Sequence, residues 1–253
     1  MKTLFITGAA HGIGLATARR FADQGWFVGL YDINSEQLNT LLASGDFPNA
    51  CGKHCDVTQL DSINAALEHF AGHTSGRLDL LVNNAGVLSS GKFEEIDAAS
   101  HDLIIDVNIK GLTHVAQAAF PLLKQTAGAT LVNLCSVSSV YGIPLLAVYS
   151  ASKYYVNGLT EALNIEWAPY DIRVTSVKPP IVNTAMGHQL SPQLTKKLGV
   201  DMEAGHVAEA IQMAAEGKRV GYLLGTSARL WGLVDRLLPE SGRRALVRYL
   251  TGH

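Results

Sequence analysis

The sequence predicts an α/β fold: a Rossmann-like, doubly wound sheet of about seven parallel strands with helices on both faces, in a single domain. Three observations predict it. Short apolar runs alternate with longer helical patterns along the chain. Those runs are nearly continuous in apolar residues, as strands buried on both faces are. The first run leads directly into a glycine-rich turn, Thr7-Gly8-Ala9-Ala10-His11-Gly12-Ile13-Gly14, which opens a helix.

Strands are expected over Thr3–Thr7, Phe27–Tyr31, Ala50–Cys55, Leu78–Val82, Thr130–Leu134, Arg173–Lys178 and Val220–Leu224. Helices are expected near Gly12–Gln24, Ser35–Leu42, Leu60–His73, Ala99–Gln125, Val148–Trp167 and Glu203–Glu216. No internal repeat or linker interrupts this order. Residues 1–225 are expected to form the main domain, which the motifs below make dinucleotide-binding and catalytic, and 226–253 a helical extension packed on it.

The 253 residues are 47% hydrophobic and 17% charged, enough for a sizeable core and too apolar for disorder. A net charge of −2 argues against a nucleic-acid-binding surface. No apolar run reaches the roughly 18 residues of a membrane span. The apolar start, Met1–Ile6, is too short for a signal peptide and reads as the first strand. Cys51, Cys55 and Cys135 fit a reducing compartment, and the expected location is cytoplasmic. Cys51-x3-Cys55, with His54 between, lacks a second pair, so no metal site is expected.

In the first turn, Gly8, Gly12 and Gly14 let the backbone pass close to a pyrophosphate, and the helix start offers N–H groups at His11, Gly12 and Ile13. Asp32 ends the second strand, where a carboxylate accepts from a ribose diol and repels a 2′-phosphate. No arginine follows it, and His11 is the only nearby candidate cation, so NAD is favoured over NADP. Asp56-Val57, after the third strand, meets the adenine end of the cofactor or caps the next helix. Asn83-Asn84-Ala85-Gly86 ends the fourth strand. Its small residues leave room beside a cofactor, with Asn84 the favoured contact and Asn83 divided between contact and structure.

Tyr149-Ser150-Ala151-Ser152-Lys153 sets a phenol and an ammonium on one face of a helix, one turn apart. A free phenol titrates near pH ~10, and a neighbouring cation favours its ionised form. A shift of about three units corresponds to roughly 4 kcal/mol. Ser136 ends the fifth strand, at the sheet edge where open α/β folds bind ligands. Asn108 lies inside a helical pattern that suits asparagine poorly, because its amide competes with the backbone.

Taken together, Thr7-Gly8-x3-Gly12-Ile13-Gly14, Asp56, Asn83-Asn84-Ala85-Gly86, Asn108, Ser136 and Tyr149-x3-Lys153 resemble the short-chain dehydrogenases/reductases, in the single-domain branch of about this length. The resemblance runs from roughly Thr3 to Met186. It implies hydride transfer between a nicotinamide and a carbonyl carbon. Tyr149 is then acid or base, Lys153 lowers its pKa and holds the ribose, Ser136 steadies the substrate oxygen, and Asn108 anchors a relay water. Val182 and Thr184 would hold the carboxamide, although Pro180 stands where the family has glycine. The family also implies a homodimer or homotetramer, with Ala99–Gln125 and Val148–Trp167 pairing.

The cleft is expected to be lined by Ser136, Val140, Tyr141, Leu145, Met186, His188 and Leu190, with Ala185–Met202 as a lid. Such a lining suits a moderately hydrophobic secondary alcohol or ketone. Beyond residue 226, two short helices are expected, Ser227–Leu238 and Gly242–Leu250. From Lys218 onward seven Lys/Arg face two acidic residues, a local charge of +5, which fits weak contact with an anionic membrane as well as packing on the core, capping of the substrate cleft or a subunit contact. Two alternatives therefore accompany the oxidoreductase reading: an idle NAD(H)-binding sensor or scaffold, and a membrane-peripheral reductase of lipid-like carbonyls.

Overall fold

The computed structural model describes residues 1–200, 202–226 and 238–251. Seven strands form one sheet: β1 (Thr3–Thr7), β2 (Phe27–Asp32), β3 (Ala50–His54), β4 (Leu80–Asn83), β5 (Thr130–Leu134), β6 (Arg173–Lys178) and β9 (Gly221–Leu223). Their spatial order is β3-β2-β1-β4-β5-β6-β9, and every pairing is parallel. The chain winds outward from β1 in one direction and then from β4 in the other. The switch lies between β1 and β4, where doubly wound sheets open a crevice at their carboxyl ends. The expected fold is the observed one.

Alternation along each strand divides the core in two. Leu4, Ile6, Val28, Leu30, Leu80, Val82 and Val132 face α1 (Gly12–Ala22), α2 (Ser35–Ala43) and α8 (Ala204–Glu216). Phe5, Tyr31, Leu81, Leu131 and Val174 face α3 (Leu60–Thr74) and α5 (Leu112–Lys124). Phe5 stacks on Tyr31 at 4.2 Å between centroids and meets the edge of Phe70 at 5.4 Å. Inside the second layer, Asn83 Nδ2 donates to Leu112 O and Asn133 Oδ1, and Asn133 Nδ2 donates to Thr160 Oγ1. This chain of amides joins β4, β5, the start of α5 and α6 (Ala147–Glu166) without leaving a polar group stranded.

The single long helix expected over Ala99–Gln125 is instead α4 (Ala98–Ile105), a wide π-helical turn over Asp106–Gly111, and α5. The break centres on Asn108, whose side chain bonds outside its own helix. The expected lid is also more ordered than a loop. It contains α7 (Pro192–Leu198), with Ser191 accepting from Leu194 N–H and Pro192 at the first helical position. A small parallel ladder, β7 (Val182–Asn183) with β8 (Met202–Glu203), ties the segment down at both ends.

After β9 the structure describes one more helix, α9 (Glu240–Thr251), in place of the expected Gly242–Leu250. The other expected helix, over 227–238, falls almost wholly outside the described residues. No helix among the described residues is long and apolar enough to cross a membrane.

Candidate active site

At the switch point, β1 and β4 are laced together. Thr7 Oγ1 accepts the N–H groups of Asn84 and Ala85, both at 3.1 Å. Asn84 Nδ2 donates to the carbonyls of Thr7 and Gly8, both at 2.9 Å. The sequence favoured a ligand contact for Asn84. The residue does border the cleft, but its amide protons are committed to the turn.

The glycine turn is built for close approach. Gly8 and Gly12 adopt positive φ of +66° and +52°. A Cβ on Gly14 would lie 1.9 Å from Gly8 O. His11 precedes α1 without capping it through its side chain, so the first N–H groups of α1 remain available to a negatively charged ligand. Asp32 is half-buried at the end of β2; its Oδ2 accepts from Ala10 N–H at 2.8 Å and its Oδ1 from Asn34 N–H at 2.9 Å. These bonds fix the carboxylate against the turn while each oxygen keeps acceptor capacity. Asp56 Oδ1 accepts from Thr58 N–H and Oγ1 in a local turn before α3, and Val57 is buried against Gly111. A nicotinamide dinucleotide fits this cradle: a turn without side chains, a free helix start, and a carboxylate at the next strand end.

Beyond β5, four predicted residues converge. Tyr149 and Lys153 share one face of α6. Ser136 Oγ accepts Ser138 N–H at 3.2 Å and stands near enough to Tyr149 to lower its pKa. Asn108 clamps Val87 twice, accepting its N–H and donating to its carbonyl, both at 2.9 Å, and donates to Ser152 Oγ at 3.2 Å. The π-helical turn is what lets one side chain reach both the post-β4 loop and α6.

Lys153 is buried, with Nζ donating to Leu134 O at 3.0 Å. Nζ sits 5.5 Å from the centre of the Tyr149 ring. Burial pulls the lysine's pKa down. Enclosure likewise pushes the Tyr149 phenol up to about 12, against a lowering effect of the nearby Ser136 hydroxyl. The cation lies over the ring and is directed at a carbonyl.

A cavity of about 280 Å³ opens above these groups. Ser136, Val140, Tyr141, Met186 and Leu190 line it as expected, as do Val182 and Thr184. Thr184 also packs toward the Gly12 backbone, with its methyl 3.2 Å from where a Cβ would stand, so Pro180 does not take this segment away from the turn. Two lining expectations fail. His188 is exposed and bonds Asn183 Oδ1 at 2.9 Å, outside the cavity. Leu145, at a positive φ of +68°, packs on the cluster of Leu146, Leu190 and Leu194, while its neighbours Ile143 and Leu146 line the cavity. Of the rival hydroxyls, Ser139 donates to Ser136 O at 2.7 Å, while Ser138 Oγ is buried without a partner among the described residues.

The sequence also missed Val247 and Thr251. They lie one turn apart on α9 and close one side of the cavity. The i, i+4 spacing was visible, but nothing local tells which surface a terminal helix covers. Replacing Asn108 with Ala should strand both polar groups of Val87 and cost about 2–4 kcal/mol. We expect a fall in Tm of roughly 5–10 °C in a thermal melt; an unchanged Tm would contradict the clamp.

The short chain dehydrogenase family model matches residues 2–195. The chain belongs to the short-chain dehydrogenase/reductase family. Among curated relatives, it is 33% identical over 190 residues to a D-threitol dehydrogenase of Mycolicibacterium smegmatis, covering 74% of this chain and 73% of that protein. It is 32% identical over 225 residues to a 3alpha-hydroxysteroid dehydrogenase of Mediterraneibacter gnavus, covering 84% of this chain and 86% of that one. A solved 3-ketoacyl-(acyl-carrier-protein) reductase from Brucella melitensis, complexed with NADH, superimposes with a TM-score of 0.80 at 26% identity over 88% of this chain and 96% of its own. This short-chain dehydrogenase/reductase is therefore an oxidoreductase whose fold and turn suit a nicotinamide cofactor.

Proposed function

We propose that the protein uses NAD to interconvert a moderately hydrophobic secondary alcohol and its ketone. The observation that carries this reading is the apolar cavity that ends on Tyr149 and Ser136, beside a glycine cradle whose next strand ends in Asp32. When bound, the dinucleotide supplies the hydride donor or acceptor. Gly8, Gly12, Gly14 and the start of α1 hold its pyrophosphate, and Asp32 its ribose. Tyr149 Oη gives a proton to the substrate oxygen in reduction and takes it in oxidation. Ser136 Oγ orients that oxygen. Lys153 carries positive charge beneath the site and keeps Tyr149 in place, and Asn108 fixes the loop at Val87.

The relatives named above act on molecules as different as a small polyol and a steroid, so their names do not choose the substrate. The cavity lining supports the apolar reading: Leu88, Val140, Ile143, Leu146, Ile181 and Val247 offer few polar groups. The steroid-acting relative agrees with such a lining.

The first test is a paired fluorescence titration with NADH and NADPH. We expect NADH to bind at least about tenfold more tightly, because Asp32 would face the 2′-phosphate at short range. Asp32→Ala should remove most of that preference. A wild type that prefers NADPH would overturn the reading. A panel of cyclic and aliphatic alcohols and ketones with the preferred cofactor then tests the substrate class; turnover confined to charged substrates would contradict it.

We further propose a homodimer through α4, α5 and α6. Leu103, Tyr155 and Ile165 are exposed there, and a shallow hollow is lined by Phe120, Leu159, Leu163 and Trp167. A monomer at micromolar concentration in light scattering would contradict this.

A further inference from the structure

On the far side of β2 and β3, a second cluster plays no part in the proposed reaction. Cys51 lies on β3, Tyr31 on β2, and His69 and His73 one turn apart on α3. One candidate donor atom from each of Cys51, His69 and His73 lies within 4.8 Å of the other two. The sequence groups Cys51 with His54 and Cys55. The fold groups it with two histidines 18 and 22 positions on.

We propose that Cys51, His69 and His73 form a binding site for a divalent metal of zinc type. A thiolate and two imidazoles are the donor set that such borderline-soft ions take, and two histidines at i and i+4 present both rings on one helix face. Around a tetrahedral ion with bonds of about 2.0–2.3 Å, donors stand roughly 3.3–3.7 Å apart. The cluster must therefore close by about 1 Å, and the exposed His73 side chain supplies that movement.

The surroundings are already arranged. His73 Nδ1 lies 2.9 Å from His69 O. A carbonyl can only accept, so the proton sits on Nδ1 and the Nε2 lone pair is left for an ion. Tyr31 Oη lies 3.5 Å from Cys51 Sγ and 3.0 Å from His69 Nδ1. From there its hydroxyl can donate to a metal-bound thiolate, the kind of outer contact that holds a ligand in place. Binding releases the Cys51 Sγ proton to solvent as the bond to the metal forms. His73, the outermost of the three, is exposed to solvent. An ion held there would pin α3 to both β2 and β3.

Cobalt(II) titration of the full chain, with zinc competition, tests the site. We expect one equivalent to bind with a near-ultraviolet thiolate-to-cobalt absorption band that zinc abolishes. His73→Ala, a surface change that should leave the fold intact, should weaken binding at least about tenfold. Cys51→Ala should remove the band. Zinc should also raise the Tm of the wild type relative to chelator-treated protein, and should raise it less in His73→Ala. The proposal is overturned if no saturable band forms, if the band survives in Cys51→Ala, or if His73→Ala binds cobalt as the wild type does.

Discussion

Replacing Tyr149 with Phe should lower turnover of the best substrate by about 10³-fold, while NADH binding stays within about twofold of wild type. The phenylalanine ring keeps the packing of α6 against the cavity and removes one atom, the hydroxyl that exchanges the proton. A 10³-fold loss corresponds to about 4 kcal/mol of transition-state stabilisation. That is the scale expected when a positioned acid or base is lost and the hydride geometry survives. Turnover close to wild type in this variant would remove Tyr149 from the chemistry. A chain that binds cofactor but turns over nothing, with or without the hydroxyl, would instead fit a nucleotide-binding sensor or scaffold.

The pH profile carries the same argument further. Enclosure pushes the phenol up to about 12. Near neutral pH it therefore holds its proton and is ready to act as an acid in ketone reduction. Alcohol oxidation needs the phenolate, so kcat/KM in that direction should climb by up to about tenfold per pH unit on the acid side of the phenol's pKa in the complex. Reduction should stay level over that range and fall once the phenol ionises. Stopped-flow or steady-state assays in both directions read this directly. The slope for oxidation should vanish in Tyr149→Phe, and its persistence there would assign it to another group.

How far the sequence revealed the site depends on how local each signal was. The strand ends at Thr7, Asp32, Asn83 and Leu134 could be read because buried parallel strands are continuous apolar runs, and the residue that follows each run stands at the carboxyl edge. Tyr149 and Lys153 were legible because helix periodicity alone puts them on one face. Asn108 was legible as a misfit, and the π-helical turn is the physical form that the misfit takes. The failures are all tertiary. Leu145 and Leu146 are neighbours with the same side chain, and only the folded loop, with its positive φ at Leu145, tells which one lines the cavity. His188 lies between the lining residues Met186 and Leu190, yet turns to Asn183 outside. The hydrogen bond that holds Lys153 Nζ depends on a carbonyl from β5 that no spacing rule includes. Val247 and Thr251 join the site because the chain returns to it after β9.

Gly14→Ala should be the most damaging single-methyl change in the cradle. The added carbon would stand 1.9 Å from Gly8 O, 2.8 Å from Gly8 C and 2.7 Å from Asn84 Nδ2. Two of these are backbone atoms, so no rotamer change relieves the overlap. Either α1 must slide away from the end of β1, or the Gly8 peptide must turn. Turning it breaks the bond from Asn84 Nδ2 to Gly8 O, and with it part of the lacing between β1 and β4. Sliding α1 moves the N–H groups that receive the pyrophosphate. Overpacking of this kind costs about 1–3 kcal/mol of stability. The effect on the cofactor should be larger, since the turn and the helix start are both displaced. We expect the NADH dissociation constant to rise by about 100-fold or more, equivalent to about 2.7 kcal/mol, alongside a measurable fall in Tm. Gly72→Ala is the control: nothing lies within 4 Å of a Cβ there, and it sits on α3 away from the cradle. If Gly14→Ala binds NADH as tightly as Gly72→Ala does, the pyrophosphate does not lie on this turn, and the cofactor placement proposed for the whole site fails with it.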